Sequence, residues 1–173
     1  EGSPLREYTE DIIRYSQTAA DVIKDLMVYS RKKQEKKELV KVEEIIDSSL
    51  KMAMRGMSVR DIEVKRNYGD VLYLEANPTE LQQVFLNLIV NAIQAMNGRG
   101  ELTIETRQDD AGLRISIRDT GHGIEEENLG KVFNPFFTTK NPGVGTGLGL
   151  SIVHHIVNKL GGRINLESLV GKG

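Results

Sequence analysis

Glycine is concentrated in one stretch of this sequence, and that stretch constrains the fold more than any other feature. Seven of the 17 glycines lie between Gly121 and Gly149. The last four alternate with other residues and lead directly into a segment with helical periodicity. Such a loop can present bare N–H groups to phosphates at the positive end of a helix dipole, with Lys140 close by as a cation. The alternation is too regular for a flexible linker, and its spacing fits neither the dinucleotide-binding pattern nor the Walker phosphate loop.

The composition excludes several classes of protein. The chain has 173 residues, 39% apolar and 28% charged, which suits one domain plus an appendage. A net charge of −2 argues against binding to nucleic acid, which requires a basic surface. The absence of cysteine excludes disulfides, thiolate zinc sites and cysteine nucleophiles. No stretch approaches about 18 consecutive apolar residues, so we expect a soluble, cytoplasmic fragment of a longer protein, with any membrane segment upstream.

The N-terminal third has the pattern of two helices. Apolar residues recur at steps of three and four from Leu5 to Tyr29, which predicts a long helix with a heptad seam. From Arg31 the register gives way to the mostly basic RKKQEKKELVK, which we interpret as a solvated hinge, with a docking patch as the alternative. A second amphipathic helix is predicted from about Val42, with Gly56 to end it.

Beyond Gly56, strand and helix patterns alternate. Helices are predicted over 78–96, which begins with the start signal Asn77-Pro78, and over about 148–160. Short alternating or apolar runs predict strands near Ile62–Val64, Val71–Leu74, Leu102–Ile104, Leu113–Ile117 and Arg163–Glu167. Interleaved elements with an antiparallel hairpin predict an α+β fold. We expect a two-layer α/β sandwich, with helices on one face of a mixed β-sheet, preceded by the long N-terminal helix.

Two further polar groups could carry chemistry. Asn87 and Asn91 lie about 40° apart on the helix 78–96 and offer neutral oxygen ligands to a hard cation such as Mg²⁺. On spacing alone, two polar residues on a helix flank is the better interpretation. Asp119 ends a strand and is followed by two glycines, which suits an acceptor for the exocyclic amine of adenine. A turn aspartate is an equally good interpretation of that residue.

Taken together and in order, these segments resemble the ATP-binding catalytic domain of sensor histidine kinases, within the GHKL (Bergerat-fold) superfamily. The resemblance covers about residues 40–173, and the N-terminal helix resembles, more weakly, the second helix of the dimerisation and phosphotransfer hairpin. We therefore assign 1–38 to that helix and its hinge, and 39–173 to the ATP-binding domain. The motifs are similar to the family's N box, first glycine box, F box and second glycine box, which here read LQQVFLNLIVNAIQAM, DTGHGI, FNPFFTTK and GTGLGLSI.

The resemblance implies ATP or ADP and Mg²⁺ as ligands. Asn91, helped by Asn87, would hold the metal, and Asp119 would accept the adenine amine. A mobile segment spanning about 134–146 would order on the nucleotide. The remaining ATP-binding positions that the resemblance implies are Gln94, Ala95, Gly121, Gly123, Ile124, Lys140, Gly145, Thr146, Gly147, Leu148, Gly149 and Leu150.

The implied reaction passes the γ-phosphoryl group to a histidine and then to an aspartate on a response-regulator receiver domain, in a protein that is a homodimer when intact. Asn87 occupies the position where hydrolytic relatives such as DNA gyrase have a water-activating glutamate, and this favours transfer over hydrolysis. We do not expect His122, His154 or His155 to be the phosphoacceptor, so the acceptor should lie upstream and this chain alone should not autophosphorylate. Relatives also continue into a final strand, which we expect to be missing from residues 39–173.

Two alternatives stay open at the level of the sequence. One is a GHKL ATP hydrolase or a serine kinase of the anti-sigma type. The other is a degenerate, non-catalytic dimerisation module in which the heptad helix carries the function.

Overall fold

The computed structural model describes residues 36–56, 61–70, 72–110, 112–140 and 145–173, together with Tyr8, Thr9, Ile12, Ile13 and Ser16. Those five isolated residues are helical, as the heptad pattern predicts, and three of them, Tyr8, Ile12 and Ile13, expose large apolar side chains. The rest of the predicted heptad helix, and residues 31–35 of the predicted hinge, lie outside the described residues.

The described part of the domain alternates strands and helices. Its strands are β1 (Glu38–Lys41), β2 (Asp61–Tyr68), β3 (Tyr73–Ala76), β4 (Arg99–Asp109) and β5 (Gly112–Asp119). Its helices are α1 (Val42–Gly56), α2 (Pro78–Ala95), α3 (Glu126–Leu129) and α4 (Gly149–Lys159).

The strands form two small sheets. β1 pairs antiparallel with β3. In the second sheet the order is β2-β4-β5, with β2 parallel to β4 and β4 antiparallel to β5. The predicted β4–β5 hairpin is confirmed, and its last pair joins Asp109 to Gly112. Because parallel and antiparallel pairs share this sheet, the mixed sheet predicted from the sequence is also confirmed.

The core lies between the helices and one face of the three-stranded sheet. α2 packs against both α1 and α4. Along β4, Leu102, Ile104 and Thr106 are buried and alternate with residues that are less buried, as expected for a strand covered on one face. The side chains of Ile46, Ile89 and Ile152 bring the three helices into this core. These contacts confirm the predicted two-layer arrangement.

The start of α2 is determined by local chemistry. Asn77 precedes the helix in an extended conformation, and its Oδ1 accepts hydrogen bonds from the amides of Thr79 (2.8 Å) and Glu80 (3.1 Å). Pro78 takes the first helical position, where a missing N–H costs nothing. The helix ends as predicted at Asn97 and Gly98, which have φ of 53° and 78°.

The predicted hinge is wrong in its last residues, because Glu38–Lys41 is strand β1. The basic composition of this run indicates a solvated segment, whereas the strand forms by pairing with β3, which is distant in the sequence. Val40 lies opposite Leu74 and is buried, and β1 leads without a loop into α1. A pairing across more than thirty residues of sequence leaves no local signal in a four-residue segment.

Strand β3 begins two residues later than the sequence predicted, at Tyr73. Leu72 is engaged elsewhere: its carbonyl accepts from the Val42 amide (3.0 Å), and its amide donates to the carboxylate of Glu43 (3.1 Å). The first turn of α1 therefore takes both backbone groups that a strand would have used.

The strand predicted over Arg163–Glu167 is wrong, because this segment has no strand pairing. Its Ile164 packs against the core, but the chain beyond it bonds to the first glycine box and not to the edge of β5. The Ser168 hydroxyl accepts from the Ile124 amide (2.8 Å), and the Gly171 amide donates to the His122 carbonyl (2.8 Å).

The cap of α2 gives the first testable prediction. Asn77→Ala removes the acceptor of two amides and should lower the free energy of unfolding by about 1 kcal/mol. Asn67→Ala is the matched control, since Asn67 makes only an exposed side-chain bond to Glu105 and should change stability by less than about 0.5 kcal/mol. Urea unfolding followed by circular dichroism measures both. Equal midpoints for the two variants would contradict the cap.

Candidate functional site

A row of carboxamides follows the last turns of α2 beside its buried face. Asn87, Asn91 and Gln94 are all half-buried. The Asn87 Nδ2 donates to the Gly149 carbonyl at 3.3 Å, which links α2 to the first residue of α4. Asn91 and Gln94 point to a different partner. The structure therefore separates the two asparagines by their contacts and brings Asn91 together with Gln94.

That partner is the ammonium group of Lys140. Its Nζ donates to the Asn91 Oδ1 at 3.3 Å and also to the Gln94 Oε1. Burial lowers the pKa of Lys140 below its usual value. No carboxylate lies within ion-pair distance of this ammonium in the described part of the chain. Among the described residues, the Lys140 ammonium is thus held by two neutral oxygens and by no carboxylate.

The first glycine box packs on the end of α2. The Asp119 Oδ1 accepts from the Gly121 amide at 2.8 Å, and the His122 amide donates to the Ala95 carbonyl at 3.1 Å. Gly121 is buried so tightly that an added Cβ would lie 2.7 Å from the carbonyl carbon of Ala95. The turn therefore holds the Asp119 carboxylate in one orientation against α2. Its other oxygen makes no hydrogen bond within the described residues.

Gly123 has a left-handed backbone conformation and lies in contact with the C-terminal segment. Its φ is +73°, and an added Cβ would lie 2.3 Å from the Leu169 carbonyl oxygen. The neighbouring half-buried Ile124 is bonded to Ser168 through its amide. The close approach at Gly123 is thus made by residues 169–170 of this chain, and approach by a base stays a prediction.

The second glycine box is joined to the F box by its backbone. The Phe136 amide donates to the Gly147 carbonyl at 3.0 Å, and an added Cβ at Gly147 would lie 2.4 Å from the Phe136 carbonyl carbon. Both residues have positive φ, +67° and +69°. Leu148 is 1% exposed and belongs to the core, whereas Leu150 is half-buried.

The chain between these anchors carries Lys140. The Thr138 hydroxyl accepts from the Lys140 amide at 3.1 Å, and an added Cβ at Gly145 would lie 3.2 Å from both side chains. The Thr146 hydroxyl accepts from the Leu148 amide at 3.2 Å. Residues 141–144 lie outside the described residues.

Three residues of this site were missed at the level of the sequence. Thr138 orients the backbone of Lys140, Phe136 is fastened to Gly147, and Ser168 bonds to Ile124. Thr138 and Phe136 both lie in the F box, but its sequence does not indicate that Phe136 has a positive φ. Ser168 lies 44 residues from its partner and carries no local signal.

The histidines form no metal site in the described part of the chain, where no group of three or more His, Cys, Asp or Glu side chains could hold an ion. His154 lies against Phe133, with ring centroids 5.3 Å apart.

Among the helices that the structure describes, none combines the length and apolar character needed to cross a membrane.

The family follows from a match to residues 76–173. This stretch matches the family described as histidine kinase-, DNA gyrase B- and HSP90-like ATPase, and it contains α2, both glycine boxes and Lys140. The chain belongs to this ATPase family. The resemblance stated from its four motifs is therefore confirmed.

Relatives within the ATPase family include sensor kinases. The chain is 41% identical over 130 residues to the sensor histidine kinase ZraS of Escherichia coli K12, covering 75% of this chain and 28% of ZraS. It is 36% identical over 182 residues to the sensor kinase CckA of Brucella abortus, covering 94% of this chain and 19% of CckA. The chain thus spans less than a third of the length of these two relatives.

Solved structures show the same domain. The mycobacterial sensor histidine kinase MprB is 32% identical and superposes with a TM-score of 0.64, over 72% of this chain and 80% of that one. The catalytic domain of the histidine kinase ThkA has the same identity and TM-score, over 72% of this chain and 81% of its own. The predicted α+β fold is confirmed by these likenesses.

The contact between Gly121 and α2 gives the second testable prediction. Gly121→Ala forces a methyl group against Ala95 and the Asp119 carboxylate, so the free energy of unfolding should fall by about 2 kcal/mol. Gly130→Ala is the control, because Gly130 has φ −71° and open space around its Cα. Denaturant titrations of both variants make the comparison. Equal stability of Gly121→Ala and the unmodified chain would contradict the close packing.

Proposed function

We propose that this chain is the ATP-binding kinase domain of a two-component sensor histidine kinase. One observation carries the proposal: two groups of opposite charge meet the last turns of α2. The turn that fixes the Asp119 carboxylate bonds to Ala95, and the Lys140 ammonium, which has no carboxylate partner among the described residues, bonds to Asn91 and Gln94. A purine amine requires an acceptor, and a polyphosphate requires a cation. Membership of the ATPase family and the similarity to sensor kinases support the same conclusion.

Adenine recognition is assigned to Asp119. An ionised carboxylate only accepts hydrogen bonds, so it suits the adenine amine and repels the carbonyl oxygen that guanine has at that position. One carboxylate oxygen is held by the Gly121 amide, and this orients the other. The half-buried side chains of Ile124 and Leu150 are proposed as apolar neighbours of the base.

Polyphosphate recognition is assigned to Lys140 and the second glycine box. The Lys140 ammonium is bonded to neutral carboxamide oxygens, so its positive charge is available to attract a phosphate. The amides of Gly145, Gly147 and Gly149 precede or begin α4, where a helix N-terminus favours anions.

The donor set at α2 fits Mg²⁺. Asn91 and Gln94 already direct their carboxamide oxygens at one cation, the Lys140 ammonium, and neutral oxygens are ligands that Mg²⁺ accepts. We propose that Asn91, helped by Asn87, holds the metal. When bound, Mg²⁺ would neutralise charge on the phosphates.

Phosphoryl transfer is favoured over hydrolysis by Asn87. Its carboxamide donates to the Gly149 carbonyl and cannot accept a proton from water at neutral pH. Transfer requires mainly positioning and charge stabilisation, which amides, a lysine and carboxamides supply.

The partners of the whole protein are proposed on the same basis. They are a histidine as first phosphoacceptor and the aspartate of a response-regulator receiver domain as the second, in a homodimer. A cytoplasmic location, with membrane attachment only through other segments, is part of this proposal. His122 lies in a glycine box, and His154 and His155 lie on α4, so none of the three is proposed as the acceptor.

Nucleotide binding gives the third testable prediction. Asp119→Asn keeps an oxygen for the Gly121 amide but loses the charge that accepts the adenine amine. Calorimetric titration with Mg-ATP should show binding weakened about ten- to a hundredfold. Asp110→Asn, at the exposed tip of the β4–β5 hairpin, should bind like the unmodified chain. Equal affinity of Asp119→Asn and Asp110→Asn would show that adenine is recognised elsewhere.

The reaction type gives the fourth testable prediction. Incubated with Mg-ATP labelled at the γ-phosphate, the chain should bind nucleotide without acquiring label and without steady release of phosphate. Both are measured on one sample by gel autoradiography and phosphate detection. Steady release that disappears in Asn91→Ala would favour a GHKL hydrolase, and label on the chain would contradict an acceptor located elsewhere.

A further inference from the structure

Lys140 occupies the Asn91 oxygen that the proposed function assigns to a metal. Its ammonium is bonded to both Asn91 and Gln94. The ammonium is therefore a cation already seated on the polar row of α2.

The Lys140 ammonium and a divalent metal ion cannot both bind the Asn91 oxygen without strong repulsion. An ammonium and a divalent ion on the same Asn91 oxygen repel each other strongly at such short range, and half-burial weakens the screening by water. Each can therefore bind well only where the other is absent. Since the bonds from Lys140 are to neutral oxygens, a phosphate, which carries charge, is the stronger partner for the ammonium.

The ammonium can leave without moving the backbone that carries it. The Lys140 amide is held by the Thr138 hydroxyl at 3.1 Å. Four residues before Lys140, the Phe136 amide donates to the Gly147 carbonyl. The aliphatic part of the side chain has four rotatable bonds, so the charge can swing between α2 and a bound phosphate while this backbone stays in place.

We propose that Lys140 is a built-in competitor for the metal: its ammonium blocks Asn91 until a polyphosphate draws it away, so that metal and polyphosphate bind together and metal alone binds poorly. This inference rests on the proposed function. Removing the ammonium should strengthen binding of the metal alone, because its competitor is gone. It should weaken binding of the polyphosphate alone, because the phosphate loses a cationic partner.

The fifth testable prediction uses Mn²⁺, a paramagnetic substitute for Mg²⁺, so that binding is measured without any reaction. In Lys140→Met the affinity for Mn²⁺ alone, measured by electron paramagnetic resonance, should rise about tenfold. ATP titrated by calorimetry in the presence of a chelator should bind about tenfold more weakly to the same variant. Lys131→Met, which removes an exposed lysine of the same region, should change neither affinity.

A double variant tests whether the additional Mn²⁺ affinity of Lys140→Met arises at Asn91. Lys140→Met/Asn91→Ala should lose the gain in Mn²⁺ affinity, because the oxygen uncovered by the first change is removed by the second. Equal or undetectable Mn²⁺ binding in the unmodified chain and Lys140→Met would overturn the competition. So would a gain that survives loss of Asn91.

The outcome is separable from that of the proposed function. Suppose that Mg-ATP binding depends on Asp119 but Mn²⁺ binding is the same with and without Lys140. The proposed kinase domain would then be supported, and only the competition between Lys140 and the metal would be contradicted. Absence of any ATP binding by the unmodified chain would overturn the proposed function and the competition together.

Discussion

Burial of one face of α2 determines the rest of the structure. That face packs against α1, α4 and the sheet at once, through Leu81, Val84, Phe85, Ile89, Ala92 and Ile93. Each large apolar side chain buried in this way contributes about 1.5–3 kcal/mol, so the helix cannot rotate about its axis without a large loss. The polar row at its border is thereby fixed, and so is the surface on which the first glycine box and Lys140 converge.

The site combines groups of contrasting rigidity. Asp119 lies at the end of a paired strand, in a turn that is locked by Gly121 against Ala95. The Lys140 ammonium lies at the end of a flexible side chain, on a segment that is held by the backbone hydrogen bond between Phe136 and Gly147. A rigid carboxylate suits recognition of a flat, rigid base. A movable cation suits a triphosphate, whose charge is redistributed when the terminal group is transferred.

Features encoded locally were predicted from the sequence, whereas features that depend on distant partners were not. α2 was predicted at both ends, because its cap at Asn77 and its stop at Gly98 are local. β1 was missed because its partner strand is far along the chain. Arg163–Glu167 alternates like a strand, but tertiary bonds from Ser168 onward decide its path. The motifs likewise indicated Asn91 and Lys140 separately, and only the fold shows that they touch.

A crystal structure of the chain with Mg²⁺ and a non-hydrolysable ATP analogue tests the central claim most directly. We expect the adenine amine on Asp119, the metal on Asn91, and the Lys140 ammonium moved from α2 to a phosphate. A nucleotide bound away from the end of α2 would contradict the account. So would phosphates bound in place while the Lys140 ammonium remains on Asn91 and Gln94.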